Sequence, residues 1–155
     1  MQYRALLRFA SVGLLASLVS ASAPASVTLP DARPRVTVFK DPGCGCCKSW
    51  VEHLRTHGFD VAVRDTSDVA GAKRTGRVPE QLHSCHTAFV NGYVVEGHVP
   101  AADIQRLLRE KPKVAGIAVP GMPAGSPGME MGTRVEKYDV IAFGRDGTTR
   151  VFARH

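Results

Sequence analysis

Residues 35–54 read RVTVFKDPGCGCCKSWVEHL and hold three of the four cysteines in the chain. The first five of these residues alternate in polarity and include β-branched types, a pattern that predicts a strand. Asp41-Pro42-Gly43 is a turn signal, and beyond it apolar residues recur at helical spacing until Gly58. The stretch therefore predicts a strand, a cysteine-bearing loop and a helix, in that order.

The sequence that follows predicts the rest of an α/β domain. Its predicted elements are a strand at 59–63, a connection of helical character at 68–76, a hairpin at 87–96 and a helix at 100–109. Asn91-Gly92 is typical of a two-residue type I′ hairpin turn, and Pro112 stops the last helix. This order is the one that a thioredoxin-like domain uses, so we expect a thioredoxin-like mixed sheet with flanking helices.

The C-terminal part is predicted to extend this domain, which spans residues 35–155. Residues 116–132 are rich in Gly, Pro and Met and have too little aliphatic alternation for a strand, so they predict an ordered loop or lid. Residues 137–153 predict a terminal β-hairpin across the turn 144–147. The pattern leaves open whether this hairpin joins the sheet or packs beside it.

The N-terminal 25 residues are typical of a signal peptide. Two arginines precede an apolar run at 9–19, and small residues around Ala25 suit cleavage there. The run is shorter than the about 20 residues that a membrane span needs. We therefore expect export, to the bacterial periplasm, with no membrane anchor after cleavage and a short mature segment, 26–34, before the domain.

The charge pattern excludes nucleic acid as an expected partner. The whole chain carries a formal charge of +6, and removal of residues 1–25, which hold two basic and no acidic residues, leaves +4. The basic residues are scattered and do not form a block interleaved with aromatics. A solvated surface is the favoured interpretation.

The Cys44-Gly45-Cys46-Cys47 motif places three soft ligands at the start of a predicted helix. Unpaired backbone N–H groups and the helix dipole favour thiolate over thiol at that position. Clustered thiolates repel each other unless a cation neutralises them, and a soft monovalent ion such as copper(I) does this well. Zinc is the weaker alternative, because it usually takes a closed tetrahedral site. Export also permits a disulfide, for example between Cys44 and Cys47.

A fourth cysteine, Cys85, lies just before the predicted hairpin and is expected to face the cysteine helix. Neighbouring residues in an extended strand point to opposite faces, so Cys85 and His86 reach one ion only if the chain is irregular there or several ions bind. His98, before the last helix, is a further candidate ligand. Met122 and Met129 offer thioethers from the loop at 116–132, with core filling as the rival interpretation.

Several motifs in order resemble the CopG-like family of exported, thioredoxin-fold metal-binding proteins associated with bacterial copper resistance. The carrying motifs are Cys44-Gly45-Cys46-Cys47 with Trp50, Val78-Pro79, Ser84-Cys85-His86-Thr87, Gly92-Tyr93, Glu96 to Ala101, Val119 to Pro123 and Gly128 to Glu130. The resemblance implies a thiolate-bridged copper cluster of several ions and a role in periplasmic copper handling. It also implies metal ions as partners, and leaves open transfer to another periplasmic copper-handling protein.

Two hypotheses follow. The first is a copper(I)-binding protein, rather than an enzyme, that uses Cys44, Cys46, Cys47 and Cys85 with His or Met completing the shell. The alternative is a thiol-disulfide oxidoreductase in which Cys44 attacks and Cys47 resolves. His86 counts against the alternative, because it stands before Thr87 where thioredoxins carry a proline.

Overall fold

Strand β1, Arg35–Lys40, lies inside a mixed sheet in the computed structural model, which describes residues 33–155. Within those residues the sheet has seven strands in the order β2-β1-β3-β4-β5-β6-β7. The other α-helices and strands are α1 (Gly45–Thr56), β2 (Asp60–Asp65), α2 (Val69–Gly76), β3 (His86–Val90), β4 (Tyr93–Glu96), α3 (Ala101–Glu110), β5 (Gly116–Ala118), β6 (Asp139–Phe143) and β7 (Thr149–Arg154), and a 3-10 helix spans Glu80–Leu82. The predicted thioredoxin-like mixed sheet with flanking helices is confirmed.

The sheet register sets where the cysteine loop meets the rest of the chain. β1 pairs parallel with β2 and antiparallel with β3, with Lys40 opposite His86. β3 pairs antiparallel with β4, with Thr87 opposite Glu96. The end of β1, the start of β3 and the end of β4 therefore share one edge of the sheet, where the cysteine loop begins.

The predicted hairpin at 87–96 is confirmed. Asn91 and Gly92 have φ angles of 45° and 83°, and both positive values are what a type I′ turn requires. This turn type matches the twist of the flanking strands. It fixes the register of β3 on β4 and thus the residues that face each other at the far end of the hairpin.

The core lies between the sheet and the helices. Trp50 and Leu54 of α1 and Ile104 and Leu107 of α3 are fully buried, at the i, i+3/i+4 spacing that places them on one helix face. Burying each of the three aliphatic side chains, those of Leu54, Ile104 and Leu107, contributes about 1.5–3 kcal/mol. The Trp50 Nε1–H donates to the Val99 carbonyl oxygen at 2.9 Å, which ties α1 to the segment before α3.

The prediction of a loop over 116–132 is wrong for its first three residues. Gly116–Ala118 forms β5, which pairs parallel with β4 and antiparallel with β6. A segment this short has no visible alternation, and its strand geometry comes from hydrogen bonding to a neighbour on each side. The terminal hairpin is confirmed as β6 and β7, and it extends the sheet through β5.

The predicted signal peptide, 1–25, lies outside the described residues, as does most of the short segment 26–34. Among residues 33–155, the helices are all too short or too polar to cross a bilayer.

Candidate metal centre

The cysteine motif lies at the junction of β1 and α1. The Asp41 carbonyl oxygen accepts from the Cys44 N–H at 3.0 Å, and Asp41 Oδ1 accepts from the Gly43 N–H at 2.8 Å. Cys44 is the N-cap of α1, and its Sγ accepts from the Cys47 N–H at 3.3 Å. Since the positive end of the helix dipole lies here, the position stabilises a negatively charged sulfur.

Four sulfur atoms come together at this helix end, with all ligand atoms of Cys44, Cys46, Cys47 and Cys85 within 4.8 Å of one another. The Sγ atoms of Cys44 and Cys46 are 3.5 Å apart, and so are those of Cys47 and Cys85. Cys47 is fully buried, and the other three are half-buried. The expectation that Cys85 faces the cysteine helix is met.

Cys44 and Cys47 form a disulfide in this structure, whereas Cys46 and Cys85 are free thiols. A disulfide sulfur is neutral, and the metal ligand is the thiolate. Two-electron reduction of the Cys44–Cys47 bond therefore converts the group into a site with four thiol ligands. The oxidised state also gives the alternative function a structural basis, because Cys44 and Cys47 are the pair assigned to it.

A second group of donors shares Cys85 with the first. The ligand atoms of Cys85, His86 and His98 lie within 4.8 Å of one another. Cys85 lies in a bend directly before β3, and this irregular backbone brings its Sγ to 3.3 Å from His86 Nδ1. Cys85 Sγ is also 3.0 Å from His98 Nε2. Cys85 thus stands between a sulfur-rich group and a nitrogen-rich one.

His98 has the tautomer and orientation that a metal ligand needs. Its Nδ1 lies 2.8 Å from the Pro127 carbonyl oxygen, which only accepts, so Nδ1 carries the proton and Nε2 keeps a lone pair toward Cys85. Burial is the main cause that lowers the pKa of His98 and favours the neutral imidazole. A hydrogen bond from the second ring nitrogen to a carbonyl is common in metal-binding histidines.

His86 is fully buried, and its Nε2 has no hydrogen-bond partner among the described residues. Its ring packs on Trp50, with centroids 4.3 Å apart. Burial, followed by the charges of His98 and Lys73, lowers the pKa of His86 well below its ordinary value, so the ring is neutral. Because a buried ring nitrogen without a hydrogen-bond partner is uncommon, His86 fits the chemistry of a ligand as well as that of a packing residue.

The Met-bearing loop covers one side of this centre. Pro127 contacts His98 as described, and Gly128 packs against the first turns of α1. Met129 follows Gly128 and is half-buried, whereas Met122 is 53% exposed. Ligation by Met122 or Met129 stays a prediction, and the loop's clear contribution is the Pro127 carbonyl that orients His98.

Replacing Gly128 with alanine is expected to destabilise the protein by about 2–4 kcal/mol. Gly128 has a φ of +84°, and an added Cβ would lie 2.7 Å from both the Cys46 carbonyl oxygen and the Trp50 nitrogen. Gly132→Ala is the matched control, because its φ is +60° but its Cβ would meet open space. The control should lose about 1–2 kcal/mol in urea unfolding. Equal losses would contradict a tight contact between the loop and α1.

The sequence patterns do not reveal the polar residues that support this centre. Glu96 is fully buried and pairs with Lys73 of α2, a helix to which no functional role was assigned. The sequence signal that could have identified Glu96 is an acidic residue at the end of the otherwise apolar strand β4. Lys73 gave no signal of its own, because a lysine on a short polar helix is normally a solvated residue.

His53 and His57, which lie one turn apart on α1, take structural roles. His53 Nε2 accepts the Ala101 N–H at 3.1 Å, which satisfies a donor at the start of α3. Burial lowers the pKa of His53 and keeps this acceptor unprotonated. The His57 ring lies beside it, with Nδ1 2.7 Å from the His53 carbonyl oxygen.

The fold and the centre together define a thioredoxin-like protein with a cysteine cluster of metal-ligand geometry. Two solved structures are similar to it. "Copper resistance protein copG- Form 2" shares 46% identity over 79% of this chain and 98% of its own, with a TM-score of 0.76. "Copper resistance protein copG- Form 1" shares 47% identity over 78% of this chain and 96% of its own, with a TM-score of 0.74.

The chain belongs to the CopG family of copper resistance proteins, and the resemblance inferred from its motifs is confirmed. Residues 82–129 also match the family described as "Protein of unknown function, DUF411". That segment carries Cys85, His86 and His98 but begins after the first three cysteines. No curated protein gives a match.

Proposed function

We propose that this protein binds copper, chiefly as copper(I), on the thiolates of Cys44, Cys46, Cys47 and Cys85, and serves copper resistance in the bacterial periplasm. The observation that carries the proposal is the convergence of four sulfurs within 4.8 Å of one another at a helix N-terminus. Four thiolates so close repel each other, and bound cations remove that repulsion. Relatives at 46–47% identity are copper resistance proteins.

The choice of copper(I) over zinc rests on the donors beside the cluster. A lone set of four thiolates also suits zinc, which closes a tetrahedron around itself. Here Cys85 additionally contacts His98 and His86. A thiolate shared in this way suits a bridged group of several soft ions, with histidine nitrogens, and Met122 or Met129, completing the shell. The ratio of copper to protein after titration and desalting gives the number of ions.

The deciding experiment is an anaerobic titration of the reduced protein with copper(I) against a chelator of known affinity. We expect at least one copper ion to be taken from the chelator and retained after desalting. A parallel titration with zinc should show weaker retention, because soft sulfur donors favour copper(I). Failure to compete for copper(I), or tighter retention of zinc, would contradict the proposal.

The second candidate function is thiol-disulfide exchange by Cys44 and Cys47, and the disulfide between them favours it. Cys44 is half-buried at the helix end and suits attack, whereas buried Cys47 suits resolution. Cys46→Ser separates the two functions. A dithiol oxidoreductase should keep its exchange rate in that variant, whereas a shared metal site should lose copper(I) affinity.

Export to the periplasm and delivery of copper to another periplasmic copper-handling protein belong to the same proposal. The signal-peptide pattern of residues 1–25 supports export. Cell fractionation of the full-length chain, followed by mass spectrometry of the mature N-terminus, tests the first part. A chain that keeps residues 1–25 in the cytoplasm would contradict it.

A further inference from the structure

A fully buried carboxylate lies beside the proposed metal centre. Glu96 ends β4 with no exposed surface, and both of its oxygens are occupied. Oε1 accepts from Lys73 Nζ at 2.5 Å and from the Ser84 N–H at 2.7 Å. Oε2 accepts from Thr87 Oγ1 at 2.7 Å. One side chain thus gathers three donors from two separate parts of the chain.

Two of these donors flank the residues that we assign to the copper site. Ser84 precedes Cys85, and Thr87 follows His86, so one carboxylate holds both ends of this segment. Glu96 itself is two residues before His98. The bend that turns Cys85 Sγ toward α1 is therefore anchored by the Glu96 side chain, because regular β pairing begins only after Cys85.

Backbone contacts also hold the segment that carries Cys85 against the end of β4. The Gly97 N–H donates to the His86 carbonyl oxygen at 3.0 Å, and the Val119 N–H donates to that of Glu96 at 3.0 Å. A Cβ on Gly97 would lie 2.5 Å from Ser84 Oγ and 2.6 Å from the Val119 carbonyl oxygen. The segment that carries Cys85 therefore packs directly on the backbone leading to His98.

Lys73 supplies a positive charge that offsets the cost of removing the Glu96 carboxylate from water. Its side chain is 10% exposed, and its Nζ also reaches Thr87 Oγ1 at 3.3 Å. Removing a buried ion pair in favour of apolar residues is often neutral for stability, whereas removing one partner is costly. A buried ion pair is thus weak evidence for a purely stabilising role, and the hydrogen bonds of Glu96 to Ser84 and Thr87 point to a further use.

We infer that Glu96, neutralised by Lys73, is a positioning residue for the copper site that sets where Cys85 Sγ stands relative to the cysteines of α1. This inference rests on the proposed function for its role in copper binding. The positioning of Cys85 itself is testable without metal. The role in copper binding and the positioning of Cys85 lead to the same prediction. Removing the hydrogen bonds that Glu96 accepts should act through Cys85 and leave the local geometry of Cys44, Cys46 and Cys47 intact.

The copper test uses two charge-neutral double variants. Lys73→Met with Glu96→Leu removes the anchors, whereas Lys73→Met with Glu96→Gln keeps an acceptor for Ser84 and a polar partner for Thr87. We expect the Leu variant to weaken copper(I) binding about 10- to 100-fold and the Gln variant to stay within about threefold of the wild type. Thermal unfolding of each variant establishes that it is folded.

Placing the same substitutions in a Cys85→Ser background separates positioning from general structure. If Glu96 acts through Cys85, the Leu variant should change copper(I) affinity less than about twofold in that background. Equal losses with and without Cys85, or no loss with Cys85 present, would overturn the inference. If the Leu variant does not fold, Ser84→Pro, which removes the N–H that Glu96 accepts, replaces it in both backgrounds.

The metal-free test measures how well Cys47 and Cys85 are held together. In a Cys44→Ser, Cys46→Ser background, exchange with oxidised glutathione forms the Cys47–Cys85 disulfide and releases two reduced glutathione molecules. The equilibrium gives the effective concentration of the two thiols, which are 3.5 Å apart in the structure. The Leu variant should lower it at least about tenfold, and the Gln variant should restore it. An unchanged value overturns the inference, even where wild-type copper binding also fails.

Discussion

Cys47→Ser is expected to weaken copper(I) binding at least about a hundredfold, because loss of a residue that only orients a ligand already costs 10- to 100-fold. Cys47 is the most buried of the four cysteines and contacts Cys85 across the gap between α1 and β3. A hundredfold change corresponds to about 2.7 kcal/mol of binding free energy. Competition titration of the reduced variant under anaerobic conditions measures it.

A serine hydroxyl in this buried position also costs stability, so the variant needs its own control. Urea unfolding before titration shows whether the fold is intact at the working temperature. Ser49→Ala, at an exposed position of the same helix, should leave both stability and copper(I) affinity near the wild type. Single serine variants of all four cysteines that keep the wild-type affinity would contradict a shared thiolate site.

Copper(I) affinity should rise with pH by about tenfold per pH unit for each proton that binding displaces. Burial, followed by the charge of Cys46, raises the pKa of Cys85 from 9.0 to about 11. In the metal-free protein this thiol is therefore protonated throughout the physiological range, and a metal that binds the thiolate must release its proton. Lowering the pH favours the thiol and opposes binding, so between pH 8 and pH 6 Cys85 alone predicts about a hundredfold loss.

The histidines should contribute little to this slope. The pKa values of His86 and His98 are both lowered from 6.5, mainly by burial, so their rings are neutral above pH 6.5. The measurement is a series of competition titrations in which the competitor's own affinity is corrected at each pH. Cys85→Ser should reduce the slope by about one proton. An unchanged slope in that variant would mean that Cys85 gives up no proton and is not a ligand.

Local sequence patterns predicted most elements because their signals depend on neighbours along the chain. The Asn91-Gly92 turn requires two positive φ angles, and the residue types at those positions supply them. The same holds for the helix that follows the cysteine motif, because its apolar residues recur every three or four positions. β5 was missed because three residues carry no period, and its neighbours β4 and β6 define it.

By itself, the sequence determined that three thiols lie within one turn at a helix start, since covalent spacing and helix geometry leave little freedom there. Tertiary structure alone decided that Cys85, 38 residues from Cys47, lies 3.5 Å from it. It also decided that Glu96 pairs with Lys73 beside the segment that carries Cys85. Contacts of this kind depend on how strands register and helices pack across the whole domain, and no local pattern encodes them.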